Sequence, residues 1–448
     1  MENTVSKFER MTESPVELLV CQMAVPTIIS MMISALYNMA DTYFVGSLGT
    51  SATAAVGVTF SLMAIIQAVG FFFGHGAGNY ISRALGAQNT EDAEIMAATG
   101  FFTAFIVGTV IALGGTLFLE PLARGLGATD TILPYAVDYL RFILLGAPFM
   151  VSSLMLNNLL RFQASAFFGM IGMASGAILN IGLDPLFIFV FHLGVKGASL
   201  ATMLSQMLSC VLLFIIGCTG KKNVRIFPRN FAPSLRNYKE MVRGGSPSLF
   251  RQGLLSISTI VLNQAAGNYG DAVIAAISIV NRIVMIASSA LLGLGQGFQP
   301  VCGFNYGAKR YDRVKRAFFF CLKLTTGVLI ILSIICFIFA PNIIALFRKD
   351  DPEVIAIGAF ALRLQCFTLP LSGWIILNNM MMQTMGKAIP ASILAFSRQG
   401  LFLIPLLFTI VPLYGVAGIQ FCTPVADLLT FILALPLGIH VLHKDLKS

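Results

Sequence analysis

Two aspartates lie inside long apolar segments of the chain. Asp41 closes the stretch 37–41 near the end of the first such segment, and Asp184 lies in the stretch 180–185 of a later one. On insertion scales an Asp at the centre of a membrane helix is unfavourable by roughly 2.5–3.5 kcal/mol. A chain that carries two of them is therefore expected to compensate for their charge or to use it.

Polar partners accompany both aspartates at helical spacing. Tyr37 lies four residues before Asp41, and Asn180 lies four residues before Asp184, so each pair shares one helix face. Burial and a neighbouring like charge favour the protonated form of a carboxyl group, so this set could hold protons. It could also hold Na⁺, because hard cations prefer oxygen ligands. The residue types do not choose between these ions. A simpler interpretation is that each Asp bonds nearby backbone or lines a wet crevice.

The composition is that of a membrane protein. Of the 448 residues, 57% are apolar and only 11% are Asp, Glu, Lys or Arg, and the mean hydropathy is +0.84. Soluble proteins average about 25% charged residues. Long, continuously apolar runs favour helices over a β-barrel, whose strands are short and alternate. The sequence thus predicts an all-α polytopic membrane protein.

Charge and cysteine usage narrow the function. The net charge of +9 comes mainly from loops between apolar runs, so we interpret it as a topology signal and expect no nucleic-acid partner. The eight cysteines are scattered in apolar context without metal-ligand spacing, which predicts buried packing residues. Residues 1–15 lack the pattern of a cleavable signal peptide, so the first membrane helix is expected to be retained.

Twelve transmembrane helices are predicted from the apolar runs. Their approximate limits are 16–46, 52–80, 93–118, 132–156, 165–191, 196–218, 238–268, 272–301, 313–339, 353–377, 389–411 and 415–441. Most basic residues would lie on the side of the two termini, namely Arg83, Arg161, the run 221–243, the run 309–316, Lys387, Arg398, Lys444 and Lys447. Arg124, Lys196, Arg348 and Lys349 would lie on the other side. The positive-inside rule makes the first side cytoplasmic.

The sequence repeats at a constant offset of 221 residues. Gly46 matches Gly267 and Gly49 matches Gly270, and the pairing continues without a gap to Gly197 and Gly418. Between the halves lies the basic, proline-punctuated segment 219–237, which predicts a cytoplasmic linker. We therefore expect an N-lobe at 1–218 (helices 1–6) and a C-lobe at 238–448 (helices 7–12). An even number of spans in each half predicts two parallel six-helix bundles related by a pseudo-two-fold axis along the membrane normal.

The two aspartates break this repeat. Asp41 matches Leu262 and Asp184 matches Pro405, so both acids belong to the N-terminal half alone. Pro26 lies upstream of Asp41 in the first span, where a proline removes a backbone hydrogen bond and kinks a helix. That kink could couple ion binding at Asp41 to a change of bend, or it could be static.

Other residues are weaker candidates. Arg282, Arg251 and Arg363 lie in or near C-terminal spans and could face a cavity and bind anions, although Arg251 could equally snorkel to an interface. Asp427 is the only acid well inside a C-terminal span, and Arg363 is its suggested partner. His75 is interpreted as a packing residue near the end of the second span, with a proton-relay role as the alternative.

The chain resembles the multidrug and toxic compound extrusion (MATE) transporters, in particular their bacterial DinF-like and MepA-like branch. The resemblance covers essentially the whole length. It rests on the six-plus-six arrangement and on four stretches in a fixed order, at 37–46, 78–87, 180–185 and 295–307.

The resemblance implies secondary-active export of amphipathic, mostly cationic organic compounds in exchange for H⁺ or Na⁺ by alternating access. It implies a coupling-ion site, with possible Na⁺ ligation, at Asp41, Asn180, Asp184 and Thr202. It implies that Tyr37, Tyr139 and Asn157 line the cavity and that Pro26 is the point at which the first span bends. To the cavity residues we add Arg282, on our own interpretation of the sequence. The acids that the family's other branch carries in the C-terminal lobe are missing here.

We therefore predict an antiporter of the bacterial cytoplasmic membrane, multi-pass and monomeric, with both termini cytoplasmic. Its partners would be small organic molecules and membrane lipid, and it would need no cofactor beyond H⁺ or Na⁺. The nearest alternative is a flippase of lipid-linked oligosaccharides or lipids from the same wider superfamily, against which the twelve spans and two N-lobe acids argue. An intramembrane enzyme is the second alternative, but no nucleophile–base or metal constellation supports it.

Overall fold

The computed structural model describes residues 7–219, 224–347 and 351–446, and the regular structure of these residues is entirely helical. Some topology predictions fall outside the described residues, namely those for the extreme N-terminus and for Lys221, Lys222, Arg348, Lys349 and Lys447.

The helices of the first half begin near the N-terminus and end before the segment 220–223. They are α1 (Lys7–Glu13), α2 (Val16–Gly46), α3 (Thr50–Gly86), α4 (Thr90–Leu117), α5 (Leu119–Gly125), α6 (Leu133–Phe162), α7 (Ala166–Pro185) and α8 (Val195–Thr219).

The helices of the second half are more often interrupted. They are α9 (Leu235–Gly267), α10 (Asp271–Gly307), α11 (Tyr311–Ile338), α12 (Ala340–Phe347), α13 (Pro352–Thr368), α14 (Ser372–Thr384), α15 (Ala388–Phe396), α16 (Ile404–Thr409), α17 (Val411–Tyr414) and α18 (Val416–Lys444). Short 3₁₀ turns at Pro228–Asn230 and Leu369–Leu371 and π-helical segments at Leu186–Val190 and Ser397–Leu403 complete the chain.

Eleven helical segments within the described residues are long and apolar enough to cross a membrane. The twelfth predicted span is α9, which has 33 residues but carries charged side chains along its first half, among them Lys239, Glu240 and Arg251. These charges lower its hydropathy without shortening it. The first span was placed at 16–46, and α2 is Val16–Gly46. The second, fourth and eighth spans were predicted to end six residues before α3, α6 and α10 do.

The 221-residue repeat is visible in the backbone. Gly49 and Gly270 directly precede α3 and α10 with φ of +114° and +108°, a conformation that glycine adopts far more readily than other residues. Gln88 and Lys309, also 221 residues apart, follow the same two helices with φ of +58° and +59°. Equivalent turns therefore connect equivalent helices in the two halves.

The halves meet most closely at the ends of α3 and α10 on the side of the termini. A Cβ added at Gly86 would lie 2.1 Å from the carbonyl oxygen of Phe304, and one added at Gly307 would lie 2.1 Å from that of Arg83. These two contacts are equivalent under the repeat, so the pseudo-two-fold axis runs between α3 and α10. We call this contact the axial glycine contact.

Polar bonds reinforce the closure on the terminal side. Arg83 donates to the carbonyl of Thr384 at 2.6 Å and pairs with Glu240 at 3.2 Å, and the Thr384 hydroxyl donates to Asn79 at 2.8 Å. At the opposite ends of the helices, a Cβ on Gly49 would meet no atom within 4 Å. The two halves are thus closed against each other on the side of the termini.

Helix α2 packs on both halves. Its first part, including Leu19 and Ala24, belongs to an apolar core shared with Phe298 of α10. Its last part, including Val45, belongs to the core of the first half. Pro26, inside α2, lies between these two parts, where a bend would move one without the other.

The segment after residue 223 is fixed to the first half. Val224 and Ile226 are buried in the core of that half, and the Val224 backbone N–H donates to Gln163 Oε1 at 2.8 Å. Helix α9 begins at Leu235, three residues before the predicted start of the seventh span. The lobe limits 1–218 and 238–448 remain a prediction.

Candidate functional site

The fifth span is distorted beside its acid. Helix α7 ends at Pro185, and the π-helical segment Leu186–Val190 follows directly. Proline has no N–H, so the carbonyl four residues earlier loses its helical donor. π-helical segments are frequent at functional sites, and this one adjoins Asp184.

Asn180, Asp184 and Thr202 form one hydrogen-bonded group. Asn180 and Asp184 are fully buried, and Thr202 is 2% exposed. In the orientation that satisfies both amide atoms of Asn180, its nitrogen donates to Asp184 Oδ2 at 3.2 Å and its oxygen accepts from the Thr202 backbone N–H at 3.3 Å. Helices α7 and α8 therefore bring together three of the four residues predicted to bind the coupling ion.

Asp41 approaches this group from α2. It is 8% exposed, and its Oδ1 has no hydrogen-bond partner among the described residues. The Tyr139 hydroxyl lies beside it, and the charges of Asp41 and Asp184 act on each other. Neither acid forms an ion pair within the part of the chain that the structure describes. A buried carboxylate oxygen without a donor fits an incoming proton or a hard cation.

The buried acid of the second half is different. Asp427 accepts from Arg398 at 2.5 Å and from Gln365 at 2.7 Å. The suggested partner Arg363 is wrong, because this exposed side chain donates to the Phe337 carbonyl instead. Asp427 is thus neutralised by a basic partner 29 residues earlier, whereas the acids of the first half are not.

A cavity of about 200 Å³ lies between the halves. Tyr37 and Asn157, two of the residues expected in the substrate cavity, are among its lining residues. Tyr139 and Arg282 are not among its lining residues. Tyr139 is fully buried and turns its hydroxyl toward Asp41 and the Met63 sulfur, 3.6 Å away, while Arg282 lies on an exposed face of α10.

Two side chains connect the cavity to the acids. Tyr37 and Gln206 both line the cavity, and their side chains lie beside each other. The Tyr37 hydroxyl also lies close enough to Asp41 and Asp184 to feel the charge of both carboxylates. Gln206 was missed by the sequence analysis, because a single glutamine inside an apolar run gives no signal of its neighbours.

The sequence analysis placed Arg161 with the basic residues on the side of the termini. The structure has it in the last turn of α6 with its side chain turned inward, away from the surface. The side chain is 3% exposed and lines the cavity. It donates to Gln296 of the other half and to Asn158, and its Nη2 lies 3.2 Å from His75 Nε2. The spacing of Asn158 and Arg161 on one helix face was the available signal.

His75 is a bonded member of this group as well as a packing residue. Its Nδ1 lies 3.1 Å from the Phe71 carbonyl oxygen, which can only accept. Its Nε2 must then accept from Arg161, which can only donate. The histidine is therefore held neutral, with its proton on Nδ1.

The fold and this site are those of a transport protein, and comparison with known proteins identifies the family. The MatE family matches residues 26–186 and 247–409, and the chain belongs to that family. The multidrug export protein MepA of Staphylococcus haemolyticus (strain JCSC1435) is 28% identical over 425 residues, which is 94% of this chain and 93% of the relative.

Solved structures agree over the full length. A multidrug resistance MATE family transporter of the MOP superfamily in an outward-facing conformation aligns with a TM-score of 0.91, 26% identity and 100% of both chains. A MOP superfamily transporter from Pyrococcus furiosus Vc1 (DSM3638), whose binding pocket is described as having reverse polarity suggestive of a different function, aligns with a TM-score of 0.91, 27% identity and 100% of both chains. The predicted family resemblance and the two-bundle, all-α architecture are confirmed.

Proposed function

We propose that this chain is a multidrug efflux transporter that exchanges amphipathic organic compounds for H⁺ or Na⁺ by alternating access. The observation that carries the proposal is the contrast between the two halves. The first half holds two buried acids that have no basic partner among the described residues and lie next to a cavity, while the buried acid of the second half is paired with Arg398. An unpaired buried charge is costly unless it binds something during the working cycle.

Asp41, Asn180, Asp184 and Thr202 would hold the coupling ion. A proton or Na⁺ at Asp41 would cancel the repulsion between the two carboxylates and allow α2 to approach α7. Tyr37 would carry that movement to the cavity, because it contacts Gln206 there and lies close to both acids. Pro26 would absorb the bend at the boundary between the two packed parts of α2. Exchange requires that ion and substrate weaken each other's binding reciprocally.

The protein would work as a monomer in the bacterial inner membrane, with both termini in the cytoplasm and lipid around it. In that orientation the axial glycine contact closes the cytoplasmic side, and the state described here faces outward. The substrate and the ion would be exchanged at the outer surface before the halves rock.

The decisive experiment imposes the two gradients separately. Purified protein in liposomes is given either a pH gradient or a Na⁺ gradient, and transport of a fluorescent amphipathic dye is followed. We expect uphill movement with one of the two gradients. Downhill equilibration that ignores both would contradict exchange.

Replacing Tyr37 by Phe should weaken the link between cavity and acids. The variant removes the hydroxyl that lies beside Gln206, a polar contact worth about 0.5–1.5 kcal/mol, and keeps the ring. We expect the ion-dependent shift in dye affinity to fall by roughly 2–10-fold, while dye binding without the ion changes little. Dye titrations with and without the coupling ion measure this, and an unchanged shift would remove Tyr37 from the coupling path.

A second candidate function, the flippase of lipid-linked oligosaccharides or lipids, is favoured by one observation. The described residues that line the cavity include Arg161 and Arg251 but no acid. A cavity of this charge suits a phosphorylated lipid headgroup. Movement of a fluorescent lipid analogue between leaflets, independent of any ion gradient, would support the flippase and exclude the antiporter.

A further inference from the structure

The described residues that line the cavity include two arginines and no carboxylate. Arg161 of α6 reaches it from the first half and Arg251 of α9 from the second. Neither arginine appears in an ion pair within the described ranges. Their partners are neutral: Gln296, Asn158 and His75 for Arg161, and Asn379 at 2.9 Å for Arg251.

Bonding at this cationic pair is incomplete. Among the described residues, the Nε of Arg161 is buried without a partner, and only the Nη1 of Arg251 has an acceptor. The two guanidinium charges also repel each other. Arg161 is 3% exposed and Arg251 is partly buried. Like charges removed from water are unfavourable, and an anion between them would offset both the repulsion and the missing bonds.

The rest of the wall is apolar. Phe71, Met150, Leu154, Met173 and Leu292 line the same cavity. Methionine adapts to ligands of varied shape. The wall therefore offers a flexible surface for an apolar body next to the two cationic side chains.

Resting on the proposed export function, we propose that the substrate is an amphipathic anion, whose carboxylate, sulfonate or phosphate group binds between Arg161 and Arg251. The anionic group bridges the two halves, and the apolar body packs on the methionine and phenylalanine side chains. This replaces the mostly cationic substrates that the family resemblance implied. Guanidinium groups are well suited to the task, because they donate paired hydrogen bonds to planar or tetrahedral oxyanions.

Substrate charge also constrains the coupling. A cation bound at Asp41 attracts an anion in the cavity, so electrostatics alone would favour binding both together. Exchange of an anion for a cation therefore requires a change of cavity shape that outweighs this attraction. Tyr37 is placed for it, since it lines the cavity and lies close to both acids.

Binding of matched dyes to the purified full chain in detergent tests the proposal. Fluorescein is anionic and pyronin Y is cationic, and both have a xanthene core. We expect fluorescein to bind more tightly than pyronin Y, and Arg251→Gln to weaken fluorescein binding by about 10–100-fold without weakening pyronin Y. Arg251→Lys, which keeps the charge, should recover part of the affinity. Arg141→Gln removes an exposed arginine of α6 and should leave both affinities unchanged.

Arg161→Gln is the second variant, because this arginine also joins the halves and its loss could affect folding. A thermal unfolding curve identifies any such loss, and Arg251→Gln then carries the test alone. Tighter binding of pyronin Y, or fluorescein binding that survives both substitutions, would overturn the proposal.

Transport in liposomes distinguishes a failure of the anionic-substrate proposal from a failure of the antiporter proposal. Gradient-driven movement of pyronin Y but not fluorescein would overturn the anionic substrate and leave the antiporter standing. Fluorescein binding that depends on the arginines, without any response of its transport to either gradient, would support the anionic site and reject the antiporter. A phosphatidic-acid analogue and free fluorescein, compared in the same liposomes, distinguish a lipid headgroup from a soluble anion as the source of the charge.

Discussion

Replacement of Asp41 by Asn is expected to abolish ion-driven accumulation of substrate. The amide has nearly the shape of the carboxylic acid, but it cannot titrate and is a poorer ligand for Na⁺. Coupling free energies between two ligands are typically worth about 5–150-fold in affinity, and the accumulation ratio should fall by that order. Transport in liposomes under an imposed gradient measures the ratio.

The matched control is Asp130→Asn. Asp130 belongs to the same half, but its side chain is 86% exposed, and its ion-pair partner among the described residues is Arg124, itself half-exposed. Such pairs contribute little, so accumulation should match that of the unmodified protein. Full ion-driven accumulation by Asp41→Asn would show that the ion binds elsewhere. Equal losses in both variants would point to a general effect of removing negative charge.

Replacement of Gly86 by Ala is expected to prevent closure of the terminal side. The added methyl group would lie 2.1 Å from the Phe304 carbonyl oxygen, and backbone cannot move aside as a flexible side chain can. Overpacking of this kind costs about 1–3 kcal/mol, which lowers the population of the closed state by about 5–150-fold. Transport should fall accordingly, because each cycle must pass through that state.

Hydrogen–deuterium exchange locates the effect. Amides near the ends of α3 and α10 on the terminal side should exchange faster in Gly86→Ala, and Gly307→Ala should behave alike because its contact is equivalent. Gly57→Ala is the control. Gly57 lies in α3, as Gly86 does, but a Cβ added there would meet no atom within 4 Å. Wild-type exchange in both interface variants would be incompatible with the closure described here.

The architecture was predictable because its signals are local or periodic. Apolar runs of sufficient length define the spans, and the turns after Gly46 and Gly267 repeat because each requires a backbone that glycine adopts readily. The predicted limits of the first span and of α2 agree for this reason. The seventh span was more difficult, because the charges of α9 fall on a helix that still packs against α3.

The acid site was only partly predictable. Helical spacing correctly paired Asn180 with Asp184, and the family resemblance supplied Thr202. Tyr139, by contrast, was assigned to the cavity, and the structure turns it toward Asp41. Which face of a helix points to a cavity depends on packing between distant segments, and a single sequence does not encode that directly.

Arginines were the least predictable residues. Arg161 fell in the loop between two predicted spans and Arg398 inside the predicted span 389–411, and both were assigned to the side of the termini by the positive-inside rule. In the structure, Arg161 lines the cavity, and Arg398 pairs with Asp427, which lies 29 residues later in the sequence. Neither partner could be inferred from spacing, because helical spacing relates only residues on the same helix.

The axial glycine contact has a consequence for the kinetics of the cycle. The same close approach is made twice, once from each half, so neither contact can separate while the other stays in place. Opening the terminal side should then be a cooperative, all-or-none event with no populated half-open intermediate. Distances between labelled halves in single molecules should accordingly fall into two discrete populations, whose relative weights the ion and the substrate would shift.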